Sequence, residues 1–123
     1  MKTEYPLFRW TWSEQDGAFS AKLGTLVFLC EEPGECHAEE LAENIAFEYK
    51  SRLPALAAYL RAEQPELLGA RTLKDLTAAL GNPVIDLDSG ILTYPEQTLD
   101  TGHPFDVEFK GILEEFVSFR VNG

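Results

Sequence analysis

The chain of 123 residues is 45% hydrophobic and 25% charged, proportions of an ordinary globular protein rather than a disordered one. Its length fits a single domain over residues 1–123, with enough chain to bury a core without disulfides or a structural metal. Twenty-one acids against ten bases give a net charge of −11, which argues against nucleic acid and anionic membrane as partners, because phosphate binding needs clustered Lys and Arg.

The acidity is not confined to a tail: 11 acids and 6 bases lie up to Glu63, and 10 acids and 4 bases beyond it. A basic partner is the natural complement of such a surface, and solubility is its other use. Met1-Lys2-Thr3-Glu4-Tyr5-Pro6 carries charges and a proline where a secretory signal needs an apolar region, and no later run has the ~18 apolar residues of a membrane span. The expected compartment is the cytoplasm.

Leu7 to Trp12 alternates, with Phe8, Trp10 and Trp12 on one face and Leu7, Arg9 and Thr11 on the other. The following Ser13-Glu14-Gln15-Asp16-Gly17 reads as the turn of an N-terminal hairpin. Ala18 to Cys30 continues in extended form, with Gly24 read as a bulge within it. Trp10 and Trp12 share a face and serve either core packing or the wall of a pocket.

After Glu31-Glu32-Pro33-Gly34 the period becomes helical. Leu41, Ala42, Ile45, Tyr49, Leu53, Leu56 and Leu60 form one stripe, away from Glu39, Glu40, Glu43 and Lys50. Pro54 removes a backbone hydrogen bond, so the spacing predicts one helix over 37–52 and a second over 54–63. A short third helix opens at Thr72, its N-cap, with Asp75 at the capping-box position and Gly81 at its end.

From Asn82 to Gly123 the pattern returns to period two. Pro83-Val84-Ile85-Asp86-Leu87-Asp88, Ile91-Leu92-Thr93-Tyr94, Phe105-Asp106-Val107-Glu108-Phe109 and a last strand ending at Val121 read as a four-strand meander. In it Phe105, Val107 and Phe109 should face the core, and Asp106, Glu108 and Lys110 the solvent. The fold class is therefore α+β: an antiparallel or mixed sheet, made of the N-terminal hairpin and the C-terminal meander, with two to three helices on one face. Strands and helices do not alternate and no glycine-rich phosphate loop is present, which argues against a doubly wound nucleotide fold.

No residue set specifies a reaction. Cys30, Cys36 and His37 would need His103 as the fourth ligand of a zinc site, and their spacing matches no common finger, so no metal and no cofactor is expected. Glu31, Glu32 and Glu35 disfavour a thiolate nearby, which argues against redox or nucleophilic use of the cysteines. Asp86-Leu87-Asp88-Ser89-Gly90 begins like a calcium loop but lacks its later glutamate, and reads as a hairpin turn. Asp100-Thr101-Gly102 matches the aspartic-protease tripeptide, yet too little chain follows for the flap and sheet of that fold. His37 and His103, far apart in sequence, read as loop or capping residues.

Acid without base remains. Glu31 to Glu48 holds seven glutamates and no Lys or Arg, and Asp75 to Glu108 another seven acids and again no base. Glu35, Glu39 and Glu43 stand four residues apart, where like charges on a helix repel by a few tenths of a kcal/mol per pair. The helix N-terminus offsets this for Glu39 and Glu40 better than for Glu43.

The hairpin, the Glu-rich helical middle and the meander bearing His103-Pro104-Phe105-Asp106-Val107-Glu108-Phe109-Lys110-Gly111 together resemble small acidic bacterial domains, some of which are immunity proteins encoded beside polymorphic toxins. The resemblance is one of layout over most of the chain. It implies a cytosolic binding protein with no catalytic residues.

Three readings follow, in this order. The first is a noncatalytic binding protein for a basic protein partner, with Glu39, Glu40 and Glu43 at or beside the contact. The second is a small-molecule-binding or regulatory domain with Trp10, Trp12, Tyr94 and His103 around a pocket on the sheet. The third is an enzyme using a carboxylate pair such as Asp86 and Asp106, although acids at alternate strand positions usually make up the wet face.

Overall fold

The computed structural model describes residues 10–32, 38–100 and 102–121. Along these the elements run β1 (Thr11–Ser13), β2 (Ala18–Leu23), β3 (Leu26–Cys30), α1 (Ala38–Glu63), α2 (Pro65–Leu68), α3 (Leu73–Leu80), β4 (Val84–Asp86), β5 (Ile91–Tyr94), β6 (Phe105–Lys110) and β7 (Glu115–Val121). The fold is α+β. Among the described residues the strands form one mixed sheet of seven in chain order, parallel only where β3 meets β4. The N-terminal strands and the C-terminal meander thus share a sheet, and the helical middle is the crossover that a parallel pair requires.

Alternation decides which side of the sheet is dry. One cross-strand row runs Ala21, Phe28, Ile85, Leu92, Val107, Phe119 through six neighbouring strands, and every member is buried. Phe105, Val107 and Phe109 point to that side as the period predicted, while Asp106 and Glu108 are half-buried on the other face and Lys110 is exposed. Ala42, Ile45, Leu56, Ala57 and Leu60 of α1, Leu68 of α2, and Leu76 and Leu80 of α3 complete the same core. The opposite face carries a mixed row of Lys22, Val27, Val84, Thr93, Asp106 and Arg120.

A register shift between β6 and β7 sets Ser118 opposite Glu108 but Phe116 opposite Phe109, leaving Val117 as the extra residue. Both Phe116 and Phe119 can then face the helices: Phe119 meets Phe105 edge to face at 5.0 Å, and Phe116 meets Tyr59 of α1 at 5.8 Å. The turn before β7 is held from the helix side, where Arg52 donates to the carbonyls of Leu113 (2.8 Å) and Glu114 (3.1 Å). Leu113 has a left-handed backbone (φ 59°), a conformation disfavoured for a branched side chain; its burial and the Arg52 contact hold it there.

Two local expectations are corrected. Gly24 is not a bulge but the first residue of a two-residue hairpin turn with Thr25, since Leu23 pairs directly with Leu26. Its φ of +64° suits the first central position of a type II′ turn, which glycine alone occupies without strain. Pro54 does not divide the helix: α1 is continuous from Ala38 to Glu63, and the helix between it and α3 is the short α2 at Pro65. Pro54 lies on the exposed side, so the Lys50 carbonyl that loses its donor is open to water. Burial of Leu56 and Leu60 just beyond it, each contributing about 1.5–3 kcal/mol, outweighs the interior-proline penalty of about 3 kcal/mol. The Thr72 cap is as expected, its Oγ1 accepting from the Asp75 N–H at 3.1 Å.

Replacing Pro54 by Ala restores the missing hydrogen bond on an exposed helix face, so the variant should be more stable than the parent by about 1–3 kcal/mol. Urea melts of the two proteins provide the comparison. A loss of stability would mean that a proline-induced bend is needed for α1 to follow the sheet.

Candidate functional site

The amino-terminal half of α1 presents Glu39, Glu40 and Glu43 to solvent, and among the described residues no ion pair engages any of them. One turn beyond Glu43 stands Phe47, with 83% of its surface exposed. It lies off the apolar stripe that docks α1 on the sheet, and no core packing accounts for it. Glu35, Cys36 and His37 lie outside the described residues.

Beside Phe47 runs a groove of about 880 Å³. Glu43, Ala46, Phe47 and Lys50 form its helix wall, the β2–β3 hairpin tip with Leu23 and Leu26 the second, and Thr77, Gly81 and Pro83 at the α3–β4 junction its end. The local sequence explains the opening: Ala46 is small where α1 passes the hairpin, and Gly24 at the tip has open space where a side chain would project. The groove wall is mixed, with the apolar Leu23, Leu26, Ala46, Phe47 and Leu53 interspersed with Asn44 and Thr77, Glu43 at one end and Lys50 two turns along.

Tyr49 also lines the groove and reaches beneath it to the fully buried Tyr94, the two hydroxyls lying 2.6 Å apart. Burial pushes the Tyr49 hydroxyl up to about 12, with the Tyr94 bond acting in the opposite sense. Burial, then the neighbouring Tyr49, holds Tyr94 well above the ordinary tyrosine value. Both are neutral near physiological pH and serve as a donor–acceptor link between helix and sheet rather than as acid or base.

The other residues singled out in the sequence are dispersed. Trp10 is half-buried against the core, and Trp12, 51% exposed, rests edge-on against Phe19 at 5.3 Å. Tyr94 is on β5, four strand positions from β1 and roughly 19 Å across the sheet. His103 sits in the β5–β6 loop, its Nδ1 3.1 Å from Asp100 Oδ1. These four residues do not share one cavity wall.

Asp86 and Asp106 stand two strands apart, roughly 10 Å before their offset along the sheet. Each is engaged locally: Asp86 accepts from the N–H groups of Asp88 (2.9 Å) and Ser89 (3.2 Å), and Asp106 from the Thr93 hydroxyl (2.7 Å). The carboxylate of Asp88 accepts from the Glu31 N–H at 2.8 Å and lies 3.7 Å from the buried Cys30 Sγ. The Asp86–Gly90 stretch is therefore a turn that ties β3 to the meander, its acids already committed to N–H donors. Among the described residues no three potential metal-ligating side chains cluster, and no helix is long and apolar enough to cross a membrane.

Two features were not singled out in the sequence. Gln97 is a buried polar side chain that organises the β5–β6 loop, its Oε1 accepting from Leu99 N (2.7 Å) and Asp100 N (2.8 Å) and its Nε2 donating to the His103 carbonyl (2.7 Å). No local pattern marks it. Phe47 did carry a signal, because an aromatic residue stood opposite the apolar stripe of an otherwise amphipathic helix.

No protein-family model, curated protein or solved structure matches the chain.

The tyrosine pair makes stability depend on alkaline pH. An unfolded tyrosine ionises near pH 10 whereas folded Tyr49 holds its proton to about 12, so the folded state binds more protons in that interval. The stabilisation is complete below pH 10 and should be lost as pH rises from there towards 12. Denaturant melts at stepped pH, with ultraviolet absorbance to count tyrosinate, test this. A titration in which every tyrosine of the folded protein ionises with its midpoint near pH 10 would contradict it.

Proposed function

We propose that the chain is a noncatalytic cytosolic binding protein for a basic protein partner, acting as immunity proteins do, and that Glu39, Glu40 and Glu43 form the electrostatic side of the contact. The observation that carries the reading is the continuity of these three exposed acids, which no ion pair engages among the described residues, with the 83%-exposed Phe47. Charges around an interface accelerate encounter and select partners by sign, while a desolvated aromatic at its centre supplies lasting affinity. A net charge of −11 adds a long-range field of the same sign. The carboxylates weighed for catalysis, Asp86 and Asp106, are separated and hydrogen-bonded, which supports binding over chemistry.

A second reading, a small-molecule-binding or regulatory domain, draws on the groove, whose volume of about 880 Å³ falls within the ~300–1,000 Å³ typical of ligand sites. Its wall is then α1 and the β2–β3 hairpin rather than Trp10, Trp12 and His103.

The test replaces Glu39, Glu40 and Glu43 together by Gln and follows association with the partner, recovered by affinity capture and identified by mass spectrometry. The triple variant should associate about tenfold or more slowly at low salt, with a flattened salt dependence and a nearly unchanged melting temperature. An unaltered rate and salt slope would reduce the cluster to a solvated helix face.

A further inference from the structure

We infer that the groove between α1 and the β2–β3 hairpin is the anchor site of this interface, receiving one large apolar side chain from a segment of the partner whose Lys or Arg residues lie on one side of that anchor only. This rests on the reading above and deepens it by specifying the segment.

The order of groups along α1 sets the polarity. Glu43 and Phe47 are four residues apart and Glu39 and Phe47 eight, so at about 1.5 Å per residue the acids lie roughly 6–12 Å from the aromatic at the groove. An extended segment advances about 3.3 Å per residue, which places its bases some two to four residues from the anchor. Lys50, on the same wall beyond Phe47, repels a base on the anchor's other side. The apolar walls of Leu23, Leu26 and Ala46 fit an aliphatic or aromatic side chain, and packing Phe47 against it removes an exposed ring from water. The acids alone would accept any polycation; the groove beside them makes the site selective.

The experiment selects a displayed library of random dodecapeptides on the immobilised full chain. Enriched peptides should carry Leu, Ile, Met, Phe or Trp at one position, with two or more Lys or Arg placed two to four residues to one side and none at the same distance on the other. Two groove variants then separate the components: Thr25→Trp, at the exposed hairpin tip, narrows the groove, and Phe47→Ser removes its exposed wall. Selected peptides should bind either variant about tenfold or more weakly, the loss of one well-seated side chain, with the preference for bases intact. Replacement of Glu39, Glu40 and Glu43 by Gln should remove the preference for bases and leave that for the anchor. Melting curves establish that each variant is folded, and the two groove substitutions, being on different elements, serve as checks on each other.

Enrichment of bases with no apolar preference, or with bases on both sides, overturns the anchor site and leaves the basic-partner reading in place. Enrichment of apolar residues without bases overturns the basic partner and leaves the groove as a site for apolar ligands. No enrichment above an unrelated acidic protein overturns both.

Discussion

The contact of Phe28 with Ile85, both fully buried on paired strands, is the constraint on which the rest of the structure depends. β3 and β4 are separated in the chain by α1, α2 and α3, and among the described strands theirs is the parallel junction. An antiparallel meander can form from neighbours in sequence, but a parallel pair closes only after its crossover has folded back over the sheet. Burial of the Ala21, Phe28, Ile85, Leu92, Val107, Phe119 row therefore requires the helices to be in place, and the stripe on α1 has nothing to cover until the row exists. Three polar ties reinforce the closure from different sides. Asp88 accepts from Glu31 at the end of β3, the Tyr49–Tyr94 pair joins α1 to β5, and Arg52 holds the turn before β7.

How far these relations were legible in the sequence follows from their range. The meander was readable because Phe105-Asp106-Val107-Glu108-Phe109 states its period within five residues, and Thr72 was readable as a cap because its partner lies three residues on. The β3–β4 pairing was not, since no local pattern in Leu26-Val27-Phe28-Leu29 or Val84-Ile85 names the other strand, although both runs are nearly continuous apolar segments of the kind that parallel pairs favour. Pro54 was misread for a related reason. Its local effect is to break a helix, but Leu56 and Leu60 beyond it are held by core contacts from elements far away in the chain. Gly24 could have been either bulge or turn, and the strand that settles the matter is its own continuation.

The candidate site divides in the same way. Charge is additive and visible in a sequence, so Glu39, Glu40 and Glu43 stood out; a groove is a relation between surfaces, so Ala46 against the β2–β3 hairpin did not. The tyrosines illustrate the difference. Tyr94 is the partner of Tyr49 beneath the groove rather than a pocket wall alongside Trp10 and Trp12, because position on the sheet rather than residue type decides what an aromatic meets.

The acids of α1 can be sorted by what a helix alone explains. Glu39 and Glu40 occupy the first turn, where the unpaired N–H groups and the macrodipole favour a negative charge by roughly 0.3–1 kcal/mol each. Glu43 lies beyond that turn and four residues from Glu39, a like-charge spacing that costs a few tenths of a kcal/mol. Phe47 follows with most of its ring in water. Folding thus accounts for the first pair, is weakly opposed by the third acid and gains little from the aromatic. The two residues least useful to the fold, Glu43 and Phe47, both stand on the helix wall of the groove, where Glu39 and Glu40 do not. Their placement agrees with the proposed binding role, since groups that meet a partner remain unsatisfied in the free chain, and it is there that the helix departs from its amphipathic pattern.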